Sequence, residues 1–183
     1  MNVIHTIIAG CAAFTLGAPA PLLAAPPAPA PTMKTHVPSR LLTTAELGLS
    51  PRAAAAVDAL AAMKRVESSH VGYAGSPSPV YAAFEAVVAA ATPRELASLV
   101  RHVAPNVRAY VAQRQIRGDA PLSADDATLV TLATDPAVIE TMDGCRGGTD
   151  TVGGLITNEL RYNAKDKARA KAILERIPPT PTP

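Results

Sequence analysis

The placement of proline limits where this chain can form a folded domain, because proline fixes one backbone torsion and cannot donate a backbone hydrogen bond. Of the 18 prolines in the 183-residue sequence, 11 lie before residue 39 or after residue 177. Ala18 to Pro38 is rich in alanine and proline, which is typical of an extended spacer. The foldable part therefore runs from about Thr43 to Ile177, enough for one core and too short for two domains.

The N-terminal segment has the composition of an export signal. The first charged side chain is Lys34, and an apolar stretch runs from Val3 to Leu23. Gly17, Pro19 and Pro21 interrupt that stretch, so a cleaved secretory peptide fits it better than a transmembrane anchor. We predict a periplasmic or secreted protein with four parts: a signal peptide (1–25), an Ala/Pro-rich linker (26–42), a folded domain (43–177) and a disordered Pro-rich tail (178–183).

Cys11 offers an alternative for this segment. Ile8-Ala9-Gly10-Cys11 resembles a bacterial lipobox, in which the cysteine is lipidated and anchors the protein to the envelope. Few residues precede Cys11, which leaves little room for a complete signal, so lipidation is the less favoured prediction. A membrane is expected as a partner only if Cys11 carries a lipid.

Helix-start signals recur through the domain, as N-cap residues, prolines at the first helical position or both. Thr92-Pro93-Arg94-Glu95 combines a capping box with such a proline, and Ser123 to Asp126 is read as a second box. The remaining signals are Ser50-Pro51, Pro79, Pro105 and Asp135-Pro136, the last opening a short helix with Val138, Ile139 and Met142 on one face. No segment alternates strictly between apolar and polar residues, so essentially no sheet is predicted.

The spacing of these starts indicates a repeat. Thr92 and Ser123 are 31 residues apart, and so are Pro105 and Pro136. Helical hairpins with one apolar face bury that face by stacking side by side, as in an α-solenoid. The alternative is a plain helical bundle with regular loops.

The segment Leu96 to Ala112 resembles a HEAT-like repeat. It has a leucine-rich first helix, a short turn with proline, and a second helix that begins with Val107-Arg108. The next pair departs from the pattern, since Ile139 stands where the arginine belongs. Segments 69–79 and 144–145 are similar to those of uncharacterised bacterial helical-repeat proteins. The resemblance implies an all-α fold, a short α-solenoid of about 7–8 helices in antiparallel pairs, which binds other proteins and brings no catalytic residues.

Five side chains are candidates for ligand binding. His70 and Tyr73 lie in the longest stretch without helical periodicity, which is either a functional loop or a simple connector. Arg101, His102 and Arg114 are expected at solvent-facing positions of adjacent helices, where they form either a small positive patch or an ordinary solvated face.

Other residues are predicted to be structural. The HEAT-like resemblance implies that Arg108 contacts carbonyls or an acid of the neighbouring turn, and Thr92 and Ser123 are expected to cap helices. Cys145 lies in a glycine-rich segment and is predicted to be a buried, inert thiol. The alternative is a nucleophile activated by the adjacent Arg146.

Several classes of ligand are not expected. His36, His70 and His102 are far apart in sequence and no CxxC pair exists, so we predict no metal and no cofactor. Positive charge is concentrated between Arg161 and Arg176, and only 3% of residues are aromatic, which argues against nucleic acid as a partner.

The leading hypothesis is therefore an exported helical-repeat module that binds another protein or a peptide and has no catalytic activity. One alternative is an envelope-anchored inhibitor or immunity protein. Another is a thiol-dependent enzyme that uses Cys145 with His70 or His102.

Overall fold

A computed structural model describes residues 40–118 and 125–178. The predicted signal peptide, Cys11, Ser123 and most of the predicted linker and tail lie outside these residues. In chain order, the described elements are α1 (Pro51–Met63), β1 (Arg65–Val71), β2 (Ser76–Pro77), α2 (Pro79–Ala90), α3 (Pro93–Ser98), a 3-10 turn (Leu99–Arg101), α4 (Pro105–Arg117), α5 (Asp126–Ala133), β3 (Val138–Gly144), β4 (Arg146–Thr151), α6 (Val152–Tyr162) and α7 (Lys167–Leu174).

The strands form one mixed sheet in the order β2-β1-β3-β4. β1 and β3 are parallel neighbours, so the chain must cross over between them, and helices α2 to α5 make up that connection. β3 and β4 form an antiparallel hairpin that turns at Gly144, whose φ of +55° suits glycine. The parallel pair thus joins the two halves of the domain.

The all-α solenoid predicted from the sequence is wrong, because the described residues contain this four-stranded sheet. Pro136, expected to open the second helix of the second hairpin, precedes strand β3 instead. Val138, Ile139 and Thr141 are β-branched, and such side chains pack well on a pleated strand. Ile139 is buried in the core, whereas Val138 is exposed on the opposite face of the sheet.

Most of the predicted helix starts are confirmed, whereas the predicted repeat of helical hairpins is not. Helices begin at Pro51, Pro79, Pro93 and Pro105, as predicted. Thr92 forms the predicted capping box with Glu95. α5 is capped by Asp125, whose carboxylate accepts from the Thr128 amide over 2.7 Å, while the predicted cap Ser123 lies outside the described residues.

α4 is the central helix of the core. Its buried side chains include Val107, Tyr110 and Val111, together with the polar Asn106 and Gln115. It packs against α1, α6 and strand β1, and it also contacts β3. No helix in the described part of the chain is both long and apolar enough to cross a membrane.

Residues 40–50 pack against this core ahead of α1. Leu42, which the sequence assigns to the linker, forms a parallel bridge with His102. Its amide donates to the carbonyl of Arg101, and its carbonyl accepts from the amide of Val103. The part of the chain held by the fold therefore starts before Thr43.

Candidate functional site

A cleft of about 440 Å³ lies between β1 and β3 on one side and helices α2, α4 and α6 on the other. We call it the α2–α4–α6 cleft. Its volume falls in the range of about 300–1,000 Å³ that is usual for ligand-binding pockets.

Two helices line the cleft with side chains at helical spacing. Positions i, i+3, i+4 and i+7 fall on one face of a helix. In α4 that face carries Tyr110, Gln113, Arg114 and Arg117, and in α6 it carries Leu155, Asn158, Glu159 and Tyr162. Each stripe mixes aromatic or aliphatic groups with polar ones, so the cleft can contact apolar and hydrogen-bonding parts of one ligand.

An aromatic cluster forms one wall. The rings of Phe84 and Tyr110 are stacked with their centroids 4.7 Å apart, and Tyr81 meets both rings edge-on. The Tyr110 hydroxyl donates to the Glu67 carbonyl and accepts from the Glu67 amide, so it fixes β1 against α4. Burial raises the pKa of Tyr110 and of Tyr81, and both phenols therefore remain protonated donors near neutral pH.

Ion pairs connect α4 to the helices beside it. Arg114 Nη1 donates to Glu85 on α2 over 2.9 Å. Arg117 donates through Nε and Nη2 to the two carboxylate oxygens of Glu159 on α6, over 2.6 and 2.9 Å. These contacts link the two arginines of the cleft to α2 and α6.

The carboxylate of Glu67 is buried at the edge of β1. It accepts from the Ser78 hydroxyl over 2.6 Å and lies 3.3 Å from Arg65 Nη1. Like Glu159, it lines the cleft but is already held by partners within the chain. Both acids thus contribute mainly to the shape of the cleft.

The structure separates the five residues predicted to bind. Arg114 lines the cleft, whereas His70 and Tyr73 are exposed at the end of β1 and in the turn after it. Arg101 is exposed after α3, but His102 is 2% exposed, so its predicted solvent-facing position is wrong. His102 is inward because Leu42 bridges to it and packs residues 40–50 over this part of the core.

His102 has partners on both ring nitrogens. The Ala104 amide donates to Nδ1 over 3.0 Å, which places the ring proton on Nε2. Nε2 then donates to Thr44 Oγ1 over 3.1 Å, and the Thr44 hydroxyl donates to Asp58 over 2.5 Å. Burial lowers the pKa of His102. The imidazole therefore attaches residues 40–50 to the core and is not available as a base for Cys145.

Cys145 is exposed in the turn between β3 and β4, so the predicted burial of its thiol is wrong. The hairpin places it at the end of the sheet near the turn after β1, where the Gly72 amide donates to the Gly144 carbonyl. The two irregular segments noted in the sequence thus meet at this end of the sheet. Cys145 does not line the α2–α4–α6 cleft.

Arg108 has the predicted structural contacts. Its Nη1 donates to the carbonyls of His102 and Val103, and its Nε donates to Asp135 over 2.6 Å. Within residues 40–118 and 125–178, no group of three or more His, Cys, Asp or Glu side chains is arranged to hold a metal ion.

Most residues of the cleft were not singled out from the sequence, although a signal for them exists. The stripe on α4 that begins with the inward-facing Tyr110 continues into Gln113, Arg114 and Arg117. An apolar helix face that becomes polar along its length indicates a face that leaves the core and reaches solvent. The stripe on α6, from Leu155 to Tyr162, can be recognised from its helical spacing in the same way. Comparisons with family models, curated proteins and solved structures gave no match for this chain.

Proposed function

We propose that the protein is a binding module that takes a short peptide segment of a partner protein into the α2–α4–α6 cleft and has no catalytic activity of its own. The observation that carries this proposal is the cleft itself, with its mixed lining of aromatic, aliphatic and amide side chains. A helical-repeat binding face is no part of the proposal, since the fold contains a sheet.

The chemistry of the lining suits a peptide. Gln113, Asn158 and Asn163 each provide donors and an acceptor, which match the amide groups of a peptide backbone. Leu155 and Met142 offer apolar surface for a side chain of the bound segment. A cleft that combines convergent polar groups with apolar walls fixes both the position and the orientation of a ligand.

Two of the three acids that line the cleft support binding over catalysis, and the third, Asp143, is exposed. A general acid or base must reach the proton that it transfers, in a substrate-accessible position. Glu67 and Glu159 are buried and held by Ser78 and Arg117, respectively. Their side chains therefore stabilise the cleft walls.

Selection of random displayed peptides on the full chain tests the proposal. Selected peptides should bind the Asn158→Ala variant about tenfold more weakly by calorimetry, a loss of about 1.4 kcal/mol. Arg161→Ala is the matched control, because Arg161 is exposed on the same helix and does not line the cleft. Equal binding by all three proteins would contradict the proposal.

The same peptides test the absence of catalysis. After incubation with the full chain they should be recovered intact by mass spectrometry. Cleaved or modified peptides would contradict the proposal, and their loss in the Cys145→Ala variant would instead favour the thiol-dependent alternative.

A further inference from the structure

Arg114, which lines the α2–α4–α6 cleft, is already paired with a carboxylate, that of Glu85 on α2. Arg114 Nη1 donates to it over 2.9 Å. The Tyr81 phenol lines the same cleft, and Glu85 adds to the effect of burial in raising its pKa. A guanidinium and a phenol of the cleft are thus the donors available to a carboxylate at this position.

Glu85 holds this site only loosely. Its side chain is 43% exposed, and an ion pair in such a position contributes little because water solvates the carboxylate almost as well. Arg117, in contrast, is bound through two hydrogen bonds to Glu159, which is 4% exposed. Glu85 is therefore the carboxylate that a ligand can replace.

Arg114 is held in place independently of Glu85. Its guanidinium lies 5.8 Å from the centroid of the Phe84 ring, which is itself stacked on Tyr110. The side chain is 22% exposed, and its Nε is buried without a hydrogen-bond partner. A guanidinium oriented by an aromatic stack loses little freedom when it binds an anion.

We infer that Arg114 and Tyr81 receive a carboxylate of the bound peptide, which displaces the carboxylate of Glu85. This inference rests on the proposed function and specifies the group that the cleft recognises. The carboxylate is either the C-terminus of the peptide or the side chain of an aspartate or glutamate, since both present the same two oxygens to a guanidinium.

NMR titration of the ¹⁵N-labelled full chain with small probes tests this inference. N-acetylalanine models a C-terminus, N-acetylglutamate α-amide models an acidic side chain, and N-acetylalanine amide is the neutral control. At millimolar concentrations, at least one of the two acids should shift resonances of the cleft saturably, and the neutral amide should not. The acid with the lower Kd identifies the source of the carboxylate.

Two variants should change this affinity in opposite directions. Glu85→Gln removes the competing carboxylate and should tighten binding of the acids several-fold. Arg114→Gln should abolish it, and Arg161→Gln should leave it unchanged. If Arg114 and Glu85 only maintained the structure, both Glu85→Gln and Arg114→Gln would weaken binding of the acids. Weaker binding by Glu85→Gln would therefore overturn the inference. Equal binding of the neutral amide would also overturn it.

This inference and the proposed function can fail separately. Displayed peptides that require Asn158 but bind equally well without any carboxylate would overturn only the inference. Saturable binding of the acids, with no peptide selected, would leave the anion site in place and contradict the peptide-binding function.

Discussion

Arg108 on α4 donates through Nε to Asp135, 2.6 Å away, and so joins the central helix to the segment that leads into β3. The Arg108 side chain is 3% exposed, and its Nη1 also donates to two backbone carbonyls. A guanidinium in this position connects the helical half of the domain to the sheet.

Replacing Arg108 should be among the most damaging single changes in the chain. Removing one partner of a buried pair leaves the other charge without compensation, so Arg108→Ala should lower the free energy of unfolding by about 3–5 kcal/mol. Urea unfolding measures the loss. The exposed Arg101→Ala variant should stay within about 0.5 kcal/mol of the wild type, and a similar effect of the two substitutions would contradict this account.

Stability should depend on pH through His102. Its folded pKa lies below the ordinary value of 6.5, chiefly because of burial. Arg108 lowers this pKa further, and Asp58 has the opposing effect. The unfolded chain therefore binds the proton more readily. The contribution of His102 to the free energy of unfolding is fully present above the unfolded pKa and is lost as the pH falls below it. Urea unfolding at about pH 7.5 and pH 5 should show the loss.

The His102→Gln variant should have a flatter pH dependence over the same interval. His70→Gln is the matched control, because His70 is exposed, and it should retain the wild-type dependence. If His102→Gln retains the wild-type slope, another group is responsible.

Gly153, in the first turn of α6, should not tolerate a side chain. A Cβ at this position would lie 2.7 Å from the carbonyl oxygen of Ala133 and 3.0 Å from that of Asp135, and backbone atoms cannot move away easily. Gly153→Ala should cost about 1–3 kcal/mol of unfolding free energy. The thermal midpoint measures this effect against Gly148→Ala, whose Cβ would come no nearer than 3.8 Å to its closest neighbour and should be tolerated.

The Tyr110 hydroxyl should stabilise the domain through β1. Tyr110→Phe keeps the aromatic stack but leaves the buried Glu67 amide and carbonyl without this partner, which should cost about 1–3 kcal/mol. Tyr162→Phe is the matched control, because Tyr162 lies in the same cleft with an exposed side chain. Equal stability of the two variants by urea unfolding would argue against this role.

The sequence by itself determined where the helices begin. The capping box of Thr92 and the prolines at the first helical positions start helices through contacts within three or four residues. Their effect can therefore be predicted without knowledge of the fold. The contacts of Arg108 agree with what the HEAT-like resemblance implied, although the solenoid that it also implied is wrong.

Only the tertiary structure decided that Val138 to Gly144 is a strand and that a cleft exists. β3 pairs in parallel with β1, and the ion pair between Arg65 and Glu140 joins positions 75 residues apart. A short apolar segment is compatible with either a helix or a strand. A partner strand that supplies its hydrogen bonds decides between them. The cleft likewise depends on three helices and two strands meeting, so Arg114, Glu85 and Asn158 acquire a common role only when the chain is folded.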